Sequence, residues 1–292
     1  PDKLGRIVGE CDAASQWLSA LQKQQAMLGN EHPVILEGIH QTAAQLKLQG
    51  RLDEAEPLYR SALDRRRAAL GAEHPDTLAS LNDLAALLSA RGRAAEAEPL
   101  YHEALCGQQS KLGAEHPSTL ASTVNLAMNL EAQGRSGDAE PYYRQALRAS
   151  GAKLGAGHPS TLRSMSGLAA LLEAQGRLDE AEPFCRLVHQ GLEARLGAGH
   201  ADTTMAGHNL AVLLHSQGKV REAEPFCRRS LHAKQESLGA EHPDTFASVN
   251  NLAMLLEEQG KWDEAETLHS SAYNMGGLLE SQGRLSDVHF RI

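Results

Sequence analysis

The chain is poor in most of what chemistry or a large compact core would need. Aromatic residues make up only 4% of its 292 residues, so Leu and Ala must fill the interior, and small residues suit thin stacked layers of helices better than one thick core. Lys and Arg number 28 against 37 Asp and Glu, a formal net charge of −9 and a pI near 5.9. That balance disfavours a surface that tracks phosphates, so nucleic acid is not an expected partner. The one dense basic cluster, Arg65-Arg66-Arg67, ends a helical pattern, where cations complement the helix dipole. The four cysteines (Cys11, Cys106, Cys185, Cys227) form no CxxC, which argues against a zinc site or a disulfide framework. No apolar run approaches the roughly 18 residues that insert into a bilayer, and no signal-peptide pattern opens the chain at Pro1. Cytoplasm is the default expectation for location, with an organelle interior the alternative if a leader has been removed. A Gly-rich phosphate loop, an HExxH pair and a nucleophile elbow are all missing. No catalytic residue, cofactor or metal is therefore expected.

What the chain has is repetition. His-Pro steps stand at His32-Pro33, His74-Pro75, His116-Pro117, His158-Pro159 and His242-Pro243, with His200-Ala201 in register, each 42 residues after the last. A fixed period of this length marks a solenoid, in which one supersecondary unit buries its apolar face only against the next. Each repeat reads as two helices. The first begins at the His-Pro step, since proline at the first helical position sacrifices no hydrogen bond. It ends at a glycine (Gly50, Gly92, Gly134, Gly176, Gly218, Gly260) that can take the positive φ of a helix stop. Within it an invariant Ala (Ala43, Ala85, Ala127, Ala169, Ala211, Ala253) precedes an invariant Leu by three (Leu46, Leu88, Leu130, Leu172, Leu214, Leu256), which defines the buried stripe. The second helix opens near Asp53 with Glu-Ala-Glu-Pro or a variant, the proline placing its start just upstream. Glu56, Glu140, Glu182 and Glu224 each stand four residues before an arginine, and such surface pairs are worth a few tenths of a kcal/mol. Cys185 and Cys227 occupy the position held elsewhere by Tyr59, Tyr101 and Tyr143, and read as small buried hydrophobes.

The ends deviate. Residues 1–29 look like a degenerate half-repeat, residues 30–260 are tandem repeats, and residues 261–292 supply a final second helix and a shortened cap broken at Gly276-Gly277. The expectation is one continuous array. The six His-Pro histidines are helix-start residues and no metal ladder, because equivalent atoms in neighbouring repeats lie at least roughly 8 to 10 Å apart. His208 and His215 share a face, but two turns separate them by roughly 10 Å of rise.

Leu84-Ala85, Leu88, Gly92, Ala97, Tyr101 and Ala104 reproduce the spacing of the tetratricopeptide repeat, and the 42-residue period with LGAEHPDTLASLNDLA and EAEPLYHEAL resembles the kinesin light chain subclass. The resemblance implies an all-α fold, a right-handed α-solenoid of stacked helix-turn-helix repeats whose first helices line a concave groove for an extended peptide or a partner's helix. By that likeness the groove carries His40, Asn82, Val124, Ser166, His208 and Asn250, beside Gln41, Asp83, Asn125, Gly167, Asn209 and Asn251. One turn on come Met128 and Met254, and beyond them Glu131, Glu173, His215 and Glu257, with Arg163 the nearest counter-charge. The asparagines can pair with a ligand backbone as donor and acceptor at once, or they cap and hydrate the inner face. The Lys and Asn set by which chaperone-binding relatives clamp a terminal carboxylate is absent, and the glutamates favour an apolar or mildly basic protein segment. Three readings follow: a non-catalytic interaction scaffold or adaptor, a permanent subunit or assembly factor of a large complex, or the sensor array of a larger signalling protein.

Overall fold

The structure is a computed structural model and describes residues 32–270. The degenerate half-repeat of residues 1–29 and the cap expected around Gly276-Gly277 lie outside the described residues. The contacts cluster into two compact units, Pro1–Lys153 and Leu154–Ile292. The first holds α1 (Pro33–Leu48), α2 (Leu52–Leu70), α3 (Pro75–Ala90), α4 (Ala94–Leu112), α5 (Pro117–Ala132) and α6 (Ser136–Leu154), which ends at the boundary. The second holds α7 (Pro159–Ala174), α8 (Leu178–Leu196), α9 (Ala201–Ser216), α10 (Val220–Leu238), α11 (Pro243–Glu258) and a helical stretch, α12, over residues 262–270. No strand occurs among the described residues. Each unit is a stack of helix hairpins in which successive helices pack: α1 on α2, α2 on α3, α3 on α4 and α4 on α5 in the first, and the chain α7 to α11 in the second.

Local chemistry sets each element. The six histidines sit in extended backbone, and each Nδ1 accepts a hydrogen bond from the backbone N–H two residues on, at 3.2–3.3 Å. This satisfies one of the donors that a helix start leaves unpaired, and it requires an Nδ1 without a proton. At the other end Gly92 (φ 75°) reverses the chain while the N–H of Arg93 returns to Leu88 O at 2.9 Å, a closure that a side-chain-bearing residue would strain. The proline of the second helix lies inside it, Pro57 being in the second turn of α2. The helix thus starts slightly earlier than the proline alone suggests.

Packing follows from residue size. The invariant alanines of the first helices are 0–3% exposed and those of the second helices 0–1%, so backbones meet at points where a larger side chain has no room. Leu46, Leu88, Leu130, Leu172, Leu214 and Leu256 fill the space beside them, all buried. In the second unit one layer is repacked. His189 takes the place of Leu63, Leu105, Leu147 and Leu231, opposite Gly207, where Met165 and Val249 stand in neighbouring repeats. A Cβ on Gly207 would lie 3.4 Å from the His189 ring, and that ring packs edge-on against Phe226 at 5.2 Å.

Polar contacts join each repeat to the next at a constant offset. Glu56 pairs with Arg93 at 2.9 Å and Glu98 with Arg135 at 2.8 Å in the first unit, and Glu182 with Lys219 at 2.5 Å and Glu224 with Lys261 at 2.6 Å in the second, each 37 residues apart. These glutamates also bond the arginine four residues on where one is present, as Glu56 does Arg60 at 2.7 Å. They do more than dress a helix: their side chains are only 11–22% exposed. Within the basic triplet, Arg66 is buried, holding Glu37 at 2.6 Å and Ser80 Oγ at 2.7 Å. Lys234 repeats the serine contact in the second unit, on Ser248 Oγ at 2.9 Å.

The hydrogen bond from Lys219 brings the Glu182 pKa down to about 2. For Glu224 burial works the other way, but the bonds from Lys261 and Arg228 prevail and hold it at about 2 as well. A carboxylate depressed in the folded state stabilises fully above its ordinary value and loses that contribution as pH falls toward the folded one. Glu182→Gln should therefore lower stability at neutral pH by about 1 kcal/mol. In urea unfolding the deficit should shrink between about pH 4.5 and pH 2 as Glu182 itself protonates.

Candidate functional site

The residues expected to line a groove fall on one side of the first helices, and each unit treats them differently. In the first, they answer one another. His40 Nε2 lies 3.1 Å from Asp83 and its ring stacks edge-on against Tyr59 at 5.4 Å. Asn125 Nδ2 donates to Asn82 Oδ1 at 3.3 Å across adjacent repeats. Glu131 receives the Tyr143 hydroxyl; burial raises its pKa and this bond opposes the rise. Met128 stays exposed.

In the second unit the same positions open into two recesses. One lies between α7 and α9 over α8, about 170 Å³ in volume, with Ser166, Ala170, Glu173, Asn209 and Cys185 in its wall. The other lies between α9 and α11 over α10, about 370 Å³, with His208, Val212, His215, Asn251, Met254 and Cys227 in its wall. They are one site built twice, because Ser166, Ala169, Ala170, Glu173, Cys185 and Asn209 shift by one period onto His208, Ala211, Val212, His215, Cys227 and Asn251. The structure thus brings Ser166, Glu173 and Asn209 together, and His208, Asn251 and Met254. Arg163 is exposed on α7 and Asn250 half-buried on α11, and neither lines a recess. Glu257 is taken by His269 Nε2 at 2.9 Å.

The cause of the recesses is a substitution visible in the sequence. Where the first unit has Tyr59, Tyr101 and Tyr143, all buried, the second has Cys185 and Cys227, also buried. A thiol leaves the volume of a phenol ring unfilled and offers only a weak donor in place of the hydroxyl. Burial pushes both thiols up to about 11, so neither is a nucleophile at neutral pH. Val188 and Leu192 on α8 and Met205 on α9 also line the first recess; attention to the first helices alone misses the two on α8, and the tyrosine-to-cysteine change is their only signal. Burial lowers the His208 pKa, so its ring is neutral at neutral pH. Among the described residues no group of three or more His, Cys, Asp or Glu side chains is arranged to hold a metal ion, and no described helix is long and apolar enough to cross a membrane.

One tetratricopeptide repeat model matches residues 35–105, 84–152 and 201–277, and a second model of that repeat matches residues 124–191. The chain belongs to the tetratricopeptide repeat family. Among solved structures it is similar to the kinesin light chain nearly identical TPR-like repeats of Podosopora anserina, at 29% identity over 72% of this chain and 98% of that one, with a TM-score of 0.63. BtubC (BKLC) from P. vanneervenii is 22% identical over 84% of this chain and 92% of its own, TM-score 0.61. The apo form of RapI is 12% identical over 84% and 99%, TM-score 0.61. The last two likenesses concern the fold alone. No curated protein matches the chain by sequence. Tetratricopeptide repeats are in general non-catalytic interaction modules, and the fold supports a protein-binding scaffold with protein partners.

Burial raises the pKa of Glu173. For a carboxylate the sign is that ionisation costs the folded state stability as pH climbs above the ordinary value. Glu173→Gln should raise the melting temperature at pH 7, and the gain should vanish below about pH 4, where the glutamate is itself neutral.

Proposed function

We propose that this protein is a non-catalytic adaptor that holds an extended, apolar or mildly basic segment of a partner protein against the first-helix face of its repeats. The observation that carries this reading is the pair of equivalent recesses, each apolar at its base and each with an asparagine, Asn209 or Asn251, in its wall. An asparagine amide satisfies a backbone N–H and C=O together, whatever the ligand's side chains, while the recess beside it selects among them. The glutamates along the same face discourage an acidic ligand. Among the described residues nothing groups a nucleophile, a base and an oxyanion donor, so binding accounts for the arrangement better than turnover does.

Panning a phage-displayed library of random dodecapeptides against the purified protein tests the reading. Enriched peptides should be poor in Asp and Glu, and the double variant Asn209→Ala with Asn251→Ala should weaken them by about tenfold, or 1.4 kcal/mol. Enrichment of acidic sequences, or of none, would contradict it.

A further inference from the structure

Three glutamates occupy equivalent places at the end of a first helix, and the residue twelve positions on answers two of them. Tyr143 donates to Glu131, and His269 meets Glu257. For Glu173 that residue is Cys185, whose thiol cannot replace a phenol hydroxyl or an imidazole. Glu173 is thus half-buried in a recess floored by Ala169, Cys185 and Val188, with Asp202 as the other charged wall residue and no cation lining it. A carboxylate so placed favours a cation from outside, whose alkyl stem can lie along apolar walls while its head meets the oxygens.

The neighbouring recess has the opposite character. His215 is drawn to Glu258 at 2.9 Å, the neutral His208 adds no charge, and Ala211, Val212, Cys227, Met254 and Leu255 give an apolar cup, about twice the volume of the first, whose other wall residues are the uncharged Ser216 and Asn251. Equivalent points one repeat apart are separated by roughly 10 Å. A polyproline II segment rises ~3.1 Å per residue with three residues per turn, so positions i and i+3 project from the same side about 9 Å apart. Its backbone carries no internal hydrogen bonds, which leaves it free for Asn209 and Asn251.

We propose that the two recesses read a pair of side chains three residues apart in a polyproline II segment of the partner, a Lys or Arg at Glu173 and a Leu, Met or Phe over Cys227. The inference rests on the adaptor reading above and specifies its ligand. Charge complementarity fixes the occupant of the first recess, and the apolar wall that of the second.

The test restores what the first unit has. Cys185→Tyr and Cys227→Tyr install the residue that repeats with Tyr59, Tyr101 and Tyr143 already accommodate, so both variants should keep the helical circular dichroism of the parent. The Cys185 variant supplies Glu173 with a hydroxyl in the geometry of Tyr143 and Glu131. Peptides enriched from the random dodecapeptide library are synthesised with a fluorophore and titrated against parent and variants by fluorescence anisotropy. The proposal expects a Lys or Arg three residues from a Leu, Met or Phe in the enriched set. It also expects about tenfold weaker binding to either tyrosine variant and to Glu173→Gln, and a comparable loss when the peptide's basic residue becomes Glu. Peptides poor in Asp and Glu that lack this pair, or that bind both tyrosine variants as tightly as the parent, would overturn the recess proposal while leaving the adaptor reading intact. A library that enriches acidic sequences, or nothing, would overturn both.

Discussion

Everything in this molecule depends on how closely two helix backbones can approach. Alanine is the residue at each crossing, Ala43 on the first helix and Ala55 on the second in one repeat and their equivalents in the others, all nearly inaccessible. Because contact is made through Cβ atoms, each hairpin buries little by itself and needs the next hairpin to cover its leucines. Stability then resides in interfaces between neighbours. The face left over is lined by side chains that the stack does not need, and those are free to differ from repeat to repeat.

Charge reinforces the same neighbour-to-neighbour logic. Glu56, Glu98, Glu182 and Glu224 each reach the basic residue that follows the glycine stop of the next first helix. In isolation such pairs contribute little, but these are partly shielded from solvent and repeated at one offset, and they oppose sliding of one hairpin on the next. The buried Arg66 does the same through Glu37 and Ser80. A scaffold fixed in this way can vary its exposed ladder without loosening its core, which is how His40, Asn82 and Asn125 can be engaged with neighbours in one unit while Glu173 waits in the other.

The elements legible in the sequence are those set by short-range rules. Proline at a first helical position, glycine after a last one and the Ala-to-Leu step of three all act within a turn or two, so their residues carry the signal directly. The histidine caps are legible in position, and their chemistry, Nδ1 accepting from the backbone, needs coordinates. Interactions spanning a whole repeat escape such rules. Helical spacing pairs Glu56 only with Arg60 four residues on, although the basic residue after the glycine stop, at a constant spacing, is a visible clue to its second partner. The burial of Cys185 and Cys227 follows from their register with the tyrosines. That their small size opens a recess depends on what surrounds them, Val188 and Met205 in one case and Val212 and Met254 in the other, and no rule of periodicity contains that.

The dependence on close helix approach is tested most directly by adding volume where backbones meet and, in parallel, where they do not. Ala85→Leu and Ala127→Leu enlarge crossing points that are both 0% exposed, whereas Ala170→Leu enlarges an exposed position on the same kind of helix. Urea unfolding should show the first two destabilised by about 1–3 kcal/mol and the third within about 0.5 kcal/mol of the parent. If all three variants instead unfold at the parent's midpoint, small residues at the crossings are not what holds the stack together.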